Sequence, residues 1–323
     1  MKRPVYLGID IGGTNMEVAV VGAKGHVLAR DAIATRAKKG PEAAIARLAS
    51  CVAHLHEPRW QLGGAGLGCA GLVDAGRGVL GSSPNLPGWE NTALARIARR
   101  HFGVYTLVDN DANAAGYGEY SRGAGRGSRV FVCVTLGTGV GGSIIVDGHI
   151  LRGQKNTAGE IGHMTIRETG PVCKCGNRGC LEAYLGADAL VRSARRLLAS
   201  KKSSVLKKWM RERTQPLSPQ LIAEAAKAGD RAAHMVFEEA GAHLGTAMAS
   251  LINVLSPDVI AVAGRVAAAF PLMEPSVRDT IEQRAFAEPA SLVTIVPAKL
   301  GTDAAVIGMA MMVRERAAGD RSD

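Results

Sequence analysis

The chain states one structural theme twice, and whatever fold it adopts must accommodate both copies. From Pro4 to Arg30 an apolar run, "VYLGID", reaches a glycine turn, "IGGTN", then a second run, "MEVAVV", a second turn, "GAKG", and a third run, "HVLAR". This is the grammar of a three-stranded meander. It returns from Arg129 to Leu151 as "RVFVCVTLGTGVGGSIIVDGHIL", with Gly137-Thr138-Gly139 standing where Gly12-Gly13-Thr14 stood, Thr135 opposite Asp10, and Asp147-Gly148 at the second turn. The self-similarity predicts an internal duplication: two related domains, each opening on a meander whose glycine turn points into a cleft between them.

A length of 323 residues suits two domains of ordinary size. Helical patterns fill the space between the meanders. "PEAAIARLASCVAHLHE" places Pro41 in a first turn and Ile45, Leu48, Val52 and Leu55 on one face. "DRAAHMVFEEAGAHLGTAMASLINVL" predicts one long buried helix capped by Asp230 and ending before Pro257; the strand "VIAVAG" follows. "TDAAVIGMAMMVRERA" predicts a terminal helix capped by Thr302 or Asp303. Alternating strands and helices make the class α/β.

Composition narrows the function. Aromatic residues at 4% argue against base-stacking surfaces for single-stranded nucleic acid. The net charge of +10 is concentrated: between Arg192 and Arg213 there are nine Lys or Arg against one Glu, 9 − 1 = 8, which reads as a solvated face rather than a polyanion dock. The start "MKRPVYLGID" is broken by Gly8 and Asp10 before a signal segment forms, and "AMASLINVLSPDVIAVAG" is interrupted by Pro257 and Asp258. A cytoplasmic protein with no membrane association is expected. Six cysteines, three of them clustered, point to a metal in a reducing compartment rather than to disulfides.

Four stretches carry residues suited to chemistry. In "DIGGTN", Gly12 and Gly13 let backbone N–H groups approach an oxyanion, Thr14 adds a hydroxyl, and Asp10 at the strand end suits hydrated magnesium; a ligand-free hairpin turn explains the same residues. "LGTGVGG" supplies a second such loop with Thr138 and Gly139, and no Walker loop is present near it. "VDNDANAAGYGE" puts Asn110 and Asp111 where a strand gives way to a helix, either as site residues or with Asp111 as a helix cap, and Asn85 in "SSPNLPGWEN" is either a polyol ligand or a turn residue. Finally, "AGEIGHMTIRETGPVCKCGNRGCLEAY" spaces Cys173, Cys175 and Cys180 for zinc, with His163 as fourth ligand, and buried free thiols as the alternative. Closing that knuckle draws Glu160 and Glu182 toward the histidine. Zinc on one imidazole nitrogen would hold the ring so that the other meets a hydroxylated ligand.

The series "DIGGTN", "NDANAA", "LGTGVGG", "AGEIGH", "CKCGNRGCLE" and "LGTDAAVIGMA" resembles, in order and along essentially the whole chain, the ROK family of sugar kinases and sugar-responsive repressors, above all its glucokinases. The resemblance implies an actin-like, hexokinase-type fold of two α/β domains with an interdomain cleft: a small domain, 1–118, rejoined by a C-terminal helix, 302–318, and a large one, 119–301, with the zinc knuckle. It implies transfer of the ATP γ-phosphate to the 6-hydroxyl of a hexose, glucose first, at the entry to glycolysis. N-acetylmannosamine or N-acetylglucosamine is the alternative acceptor, and a homodimer the expected assembly.

By the same resemblance Asp111 is the general base, and Asn85, Asn110, Glu160, His163 and Glu182 hold sugar hydroxyls. Gly12, Gly13, Thr14, Thr138 and Gly139 surround the ATP phosphates, Gly264 meets the nucleotide, Asp10 organises magnesium through water, and His163, Cys173, Cys175 and Cys180 ligate structural zinc. The chain departs from the pattern at Asn15, where many members have lysine, and at Ala70, where proline is common; "AVAGRVAAA" is a thin form of the adenosine motif. Repressors of the family carry a helix-turn-helix domain before the first strand. A strand beginning near Pro4 leaves no room for one, so no specific nucleic acid partner is expected.

Overall fold

The computed structural model describes residues 2–199, 204–212 and 215–319; Lys201, Lys202 and Arg213 of the basic stretch lie outside the described residues. The strands, in chain order, are β1 (Arg3–Ile11), β2 (Asn15–Gly22), β3 (Val27–Ala34), β4 (Trp60–Cys69), β5 (Leu72–Asp74), β6 (Val79–Ser82), β7 (Thr106–Asn110), β8 (Val130–Leu136), β9 (Val140–Val146), β10 (His149–Ile150), β11 (Val259–Ala263) and β12 (Thr294–Pro297). The helices are α1 (Pro41–Leu55), α2 (Leu94–Phe102), α3 (Asp111–Arg122), α4 (Glu182–Leu185), α5 (Ala187–Ala199), α6 (Val205–Glu212), α7 (Pro219–Lys227), α8 (Arg231–Leu255), α9 (Phe270–Arg284), α10 (Ala287–Leu292) and α11 (Ala304–Gly319).

Contacts divide the chain into two compact units: Met1–Ser128 with Ser143–Gly159 and Ala298–Asp323, and Arg129–Gly142 with Glu160–Pro297. This differs from the division expected at residue 118, and for a physical reason. Helix α3 runs on to Arg122, and the segment after β9 is tied back to the first unit by an ion pair from Arg152 to Asp109.

The duplication is plain in the sheets. One has the order β3-β2-β1-β4-β7 and the other β10-β9-β8-β11-β12, each a meander followed by two crossover strands. In the first, β1 pairs antiparallel with β2 and parallel with β4, and β7 runs parallel to β4. The register sets Asp10 beside Gly68 and Gly68 beside Asp109, then Ile11 beside Cys69 and Cys69 beside Asn110. Three carboxyl-terminal strand ends therefore finish level, the edge at which open α/β sheets bind ligands. The core beneath them comes from alternate strand positions and one helical face: Ile9, Ile11, Leu67 and Val108 are buried with Ile45 and Leu48 of α1.

Helix α11 packs on β1 and β4. A Cβ on Gly8 would strike the carbonyl of Val306, and one on Gly66 the carbonyl of Met309, so the glycines allow helix and sheet backbones to touch. Neither Thr302 nor Asp303 caps this helix. It starts through a turn of 3-10 helix over Gly301–Asp303, and the Asp303 carboxylate pairs instead with Arg30 at 2.8 Å.

In the second unit β11 is parallel to both β8 and β12. Helix α8 has its expected cap, Asp230 accepting the Ala233 N–H at 3.0 Å, and packs against α9 with Phe237, Met248, Phe270, Met273 and Val277 buried. Part of the basic stretch lies on α5 and α6, where Arg195, Lys207 and Arg211 line a cavity of about 450 Å³ with Leu198 and Met210. Among the described residues no helix is long and apolar enough to cross a membrane.

Candidate functional site

The first unit assembles its share at the level strand ends. Asn110, the last residue of β7, caps α3: its Oδ1 accepts the N–H groups of Ala112 at 2.8 Å and Asn113 at 3.2 Å, while its Nδ2 donates to the Gly71 carbonyl at 3.0 Å. The capping role open to Asp111 thus falls to its neighbour. Asp111 is the first helical residue, and its Oδ1 shares the Ala112 N–H at 2.9 Å. Burial pushes the Asp111 carboxyl above the usual range, although hydrogen bonds from Ala112 and Asn110 pull part of the way back. At the end of β1, burial, then the charge of Asp111, then that of Glu17, push Asp10 up to about 7. A carboxyl held near neutrality, as at Asp10, and one raised by burial, as at Asp111, suit a site that handles protons or a cation.

The first glycine turn is closed by Gly12 N–H on the Asn15 carbonyl at 3.0 Å and clasped by the Thr35 hydroxyl on Gly12 O at 2.6 Å, leaving Gly13 and Thr14 exposed. Asn85 belongs beside it, since a Cβ on Gly13 would lie 2.8 Å from the Asn85 carbonyl oxygen. The loop bearing Asn85 is anchored by buried Leu86 and Trp89, the indole Nε1 donating to Ala37 O at 3.0 Å. Asn85 itself remains exposed.

Two residues that sequence reasoning passed over stand directly behind. Asp109 is 1% exposed; its Oδ1 accepts Asn110 N–H at 2.8 Å and Asn113 Nδ2 at 3.0 Å, and its Oδ2 pairs with Arg152 Nη2 at 2.6 Å. A carboxylate at the end of an apolar strand was the available signal for Asp109. Arg152, 43 positions on, offered none.

The second unit gathers the knuckle and the second glycine turn. His163, Cys173, Cys175 and Cys180 bring one ligand atom each to within 4.8 Å of one another. Cys173 Sγ lies 3.8 Å from His163 Nδ1, and Cys175 Sγ lies 3.7 Å from Cys180 Sγ. Tetrahedral zinc with Zn–S bonds of about 2.3 Å requires ligand-to-ligand edges of about 3.8 Å, so the donor set and its spacing fit zinc. The loop closes through Cys173 N–H on Asn177 O at 2.7 Å, with Gly176 at φ 91° and Gly179 at φ 69°, a backbone that L side chains resist. Without a cation the thiols resist ionising together: burial raises Cys173 and pushes Cys180 up to about 12, while the Asn177 N–H lowers Cys175.

Glu182, at the start of α4, joins the knuckle to the glycine turn. Its Oε1 lies 3.7 Å from Cys173 Sγ and its Oε2 accepts the Val140 N–H at 3.0 Å. In the turn, Gly137 N–H donates to Gly139 O at 2.9 Å, and Ala187 at the start of α5 donates to the carbonyls of Gly137 and Thr138 at 3.1 and 3.2 Å. Thr138 is exposed. Gly264, at φ 91°, abuts the same turn, because a Cβ there would strike the Leu136 carbonyl. Glu160 is exposed and offers its backbone carbonyl to His163 N–H at 3.0 Å.

The ROK family matches residues 6–316. This chain belongs to the ROK family. A glucokinase from Thermotoga maritima is 31% identical over 319 residues, covering 99% of this chain and 100% of that one. A xylose repressor from Caldicellulosiruptor bescii is 31% identical over 250 residues, 77% of this chain but 62% of the repressor. Among solved structures, a ROK family glucokinase from Streptomyces griseus in complex with glucose and AMPPNP is 31% identical, with a TM-score of 0.80 over 96% of this chain and 99% of that one. The ROK fold here is accordingly the actin-like, hexokinase-type one, with its sheet repeated.

Proposed function

We propose that this ROK protein is an ATP-dependent glucokinase, moving the γ-phosphoryl group of ATP to the 6-hydroxyl of glucose. The observation that carries the reading is Asp111: it stands at the first turn of α3, at the carboxyl edge of three parallel strands, near enough to Asp10 for their charges to interact, while Asn110 does the capping. Phosphoryl transfer has a loose transition state and asks for alignment and charge neutralisation more than covalent help. Asp111 then need only accept the hydroxyl proton as the bond to phosphorus forms, and its raised affinity for a proton suits that task.

The remaining roles are assigned by likeness to the family's motifs. Asn85, Asn110, Glu160, His163 and Glu182 orient the sugar hydroxyls. The exposed Thr14 and Thr138, with the backbones of Gly12, Gly13 and Gly139, surround the phosphates, and Gly264 borders the nucleotide. Magnesium fits the oxygen donor and the negative potential at Asp10; when bound it would supply counter-charge to the phosphates. Zinc, when bound, would hold His163 by Nδ1 and leave Nε2 to donate to or accept from a hydroxyl.

The test is a coupled assay of ATP and polyphosphate against glucose, mannose, fructose, N-acetylmannosamine and N-acetylglucosamine. The highest kcat/KM is expected for glucose with ATP. An acetylated sugar ahead of glucose would move the assignment to N-acetylhexosamine kinase. Absence of any turnover, with salt-resistant binding to one DNA sequence in a gel shift, would favour the repressor reading that the xylose repressor likeness keeps in view.

A further inference from the structure

We propose that Arg152 is a positioning residue for Asp111, acting through Asp109. The inference rests on the kinase reading, because it concerns the placing of the proposed base. Asp109, Asn110 and Asp111 are consecutive, so a grip on the first sets the aim of the third. Both oxygens of Asp109 are engaged: Oδ1 holds the Asn110 N–H and the Asn113 side chain, which is two residues into α3 beyond Asp111, and Oδ2 meets Arg152. Strand end and helix start are thereby fixed from one buried carboxylate.

Electrostatics gives the pair its purpose. Asp10, Asp111 and Asp109 all press on the buried thiol of Cys69, whose proton affinity rises first from burial and then from their charges. Among the described residues Arg152 is the one cation that pairs with any of the three carboxylates. Among the described residues its Nη1 is buried with no partner, a state proteins seldom tolerate without return. Arg152 also follows directly on the hairpin strand β10, so the end of that hairpin is moored to β7, the strand that leads into Asp111.

The test is steady-state kinetics of the full chain with glucose and ATP for R152M, R152K and the double variant R152M/D109N, alongside thermal melting. We expect R152M to lower kcat about 10–100-fold with both KM values within about twofold, as a misplaced but chemically intact base should. Adding D109N should restore part of kcat, since an amide at 109 needs no cation and still accepts the Asn110 N–H. Should R152M fail to fold, R152K carries the test with a smaller loss at unchanged KM. Normal kcat in R152M or R152K, whatever the melting temperature, overturns the inference, as does a loss that D109N leaves untouched or deepens. A wild type inactive on every sugar sinks the kinase reading and this inference with it; an active wild type beside an indifferent R152M sinks the inference alone.

Discussion

The two sheets share a strand order yet furnish their chemistry by different means. In the first, carboxylates sit on the scaffold: Asp10 lies one residue before the end of β1, Asp109 lies in β7 and Asp111 opens α3, placed by strand register and the helix start over a buried core. In the second, the position equivalent to Asp10 is Thr135, paired to Ala263, and the acidic groups arrive from outside the sheet on Glu160 and Glu182. Those are placed by a loop of tight turns and four converging metal-type donors. Duplicated frameworks thus diverged at their rims: one half relies on packing for accuracy, the other on local turns that a cation would lock.

That contrast can be broken at either end. The largest effect belongs to Asp111→Asn, which should fold, bind sugar and lose turnover by about 10²–10⁴-fold; near-normal turnover would remove Asp111 from the base role and the packed half from the chemistry. Next comes Cys175→Ser. It should lower zinc content and weaken sugar binding about 10–100-fold together, measured by metal analysis and calorimetry, and full sugar affinity in metal-free protein would defeat the idea that the knuckle needs its cation. Substituting the cap, Asn110→Ala, should cost about 1 kcal/mol of stability in chemical denaturation; no loss would mean the Gly71 and helix contacts are idle.

The remaining effect is a pH dependence. Asp10 has its proton affinity raised from an ordinary 3.8 to about 7, so between these values the unfolded chain releases a proton that the folded chain keeps. Stability attributable to this group is full below pH 3.8 and declines as pH rises toward 7. Asp10→Asn should therefore melt no higher than wild type near pH 4 and a few degrees higher near neutrality. Equal melting at both would show that the charge of Asp10 is already offset.

Much of the fold was readable because it is periodic. The alternation in "VYLGID" and "MEVAVV", the glycine turn between them and its repetition near Gly137 specify strands and topology through local patterning alone. The convergence of His163, Cys173, Cys175 and Cys180 was readable too, since these residues are near in sequence and separated by turn-forming glycines. What escaped was tertiary. Whether Asn110 or Asp111 caps α3 depends on which side chain the end of β7 aims at the helix, and both residues are good caps. The partner of Asp109 lay across a hairpin whose docking no local pattern encodes, and the terminal helix begins without a side-chain cap because Asp303 is claimed by Arg30. The segment 143–159 looked like part of the second half because it continues a strand of that sheet, while its contacts belong to the first.

The return of α11 to β1 and β4 has a consequence for synthesis. Every residue of the second unit, Arg129–Gly142 with Glu160–Pro297, leaves the ribosome before the helix that covers the first sheet has been made. The half that begins translation is therefore the half that finishes folding last, and a nascent chain stalled anywhere before Ala304 would present an uncovered apolar sheet to chaperones for as long as it waits.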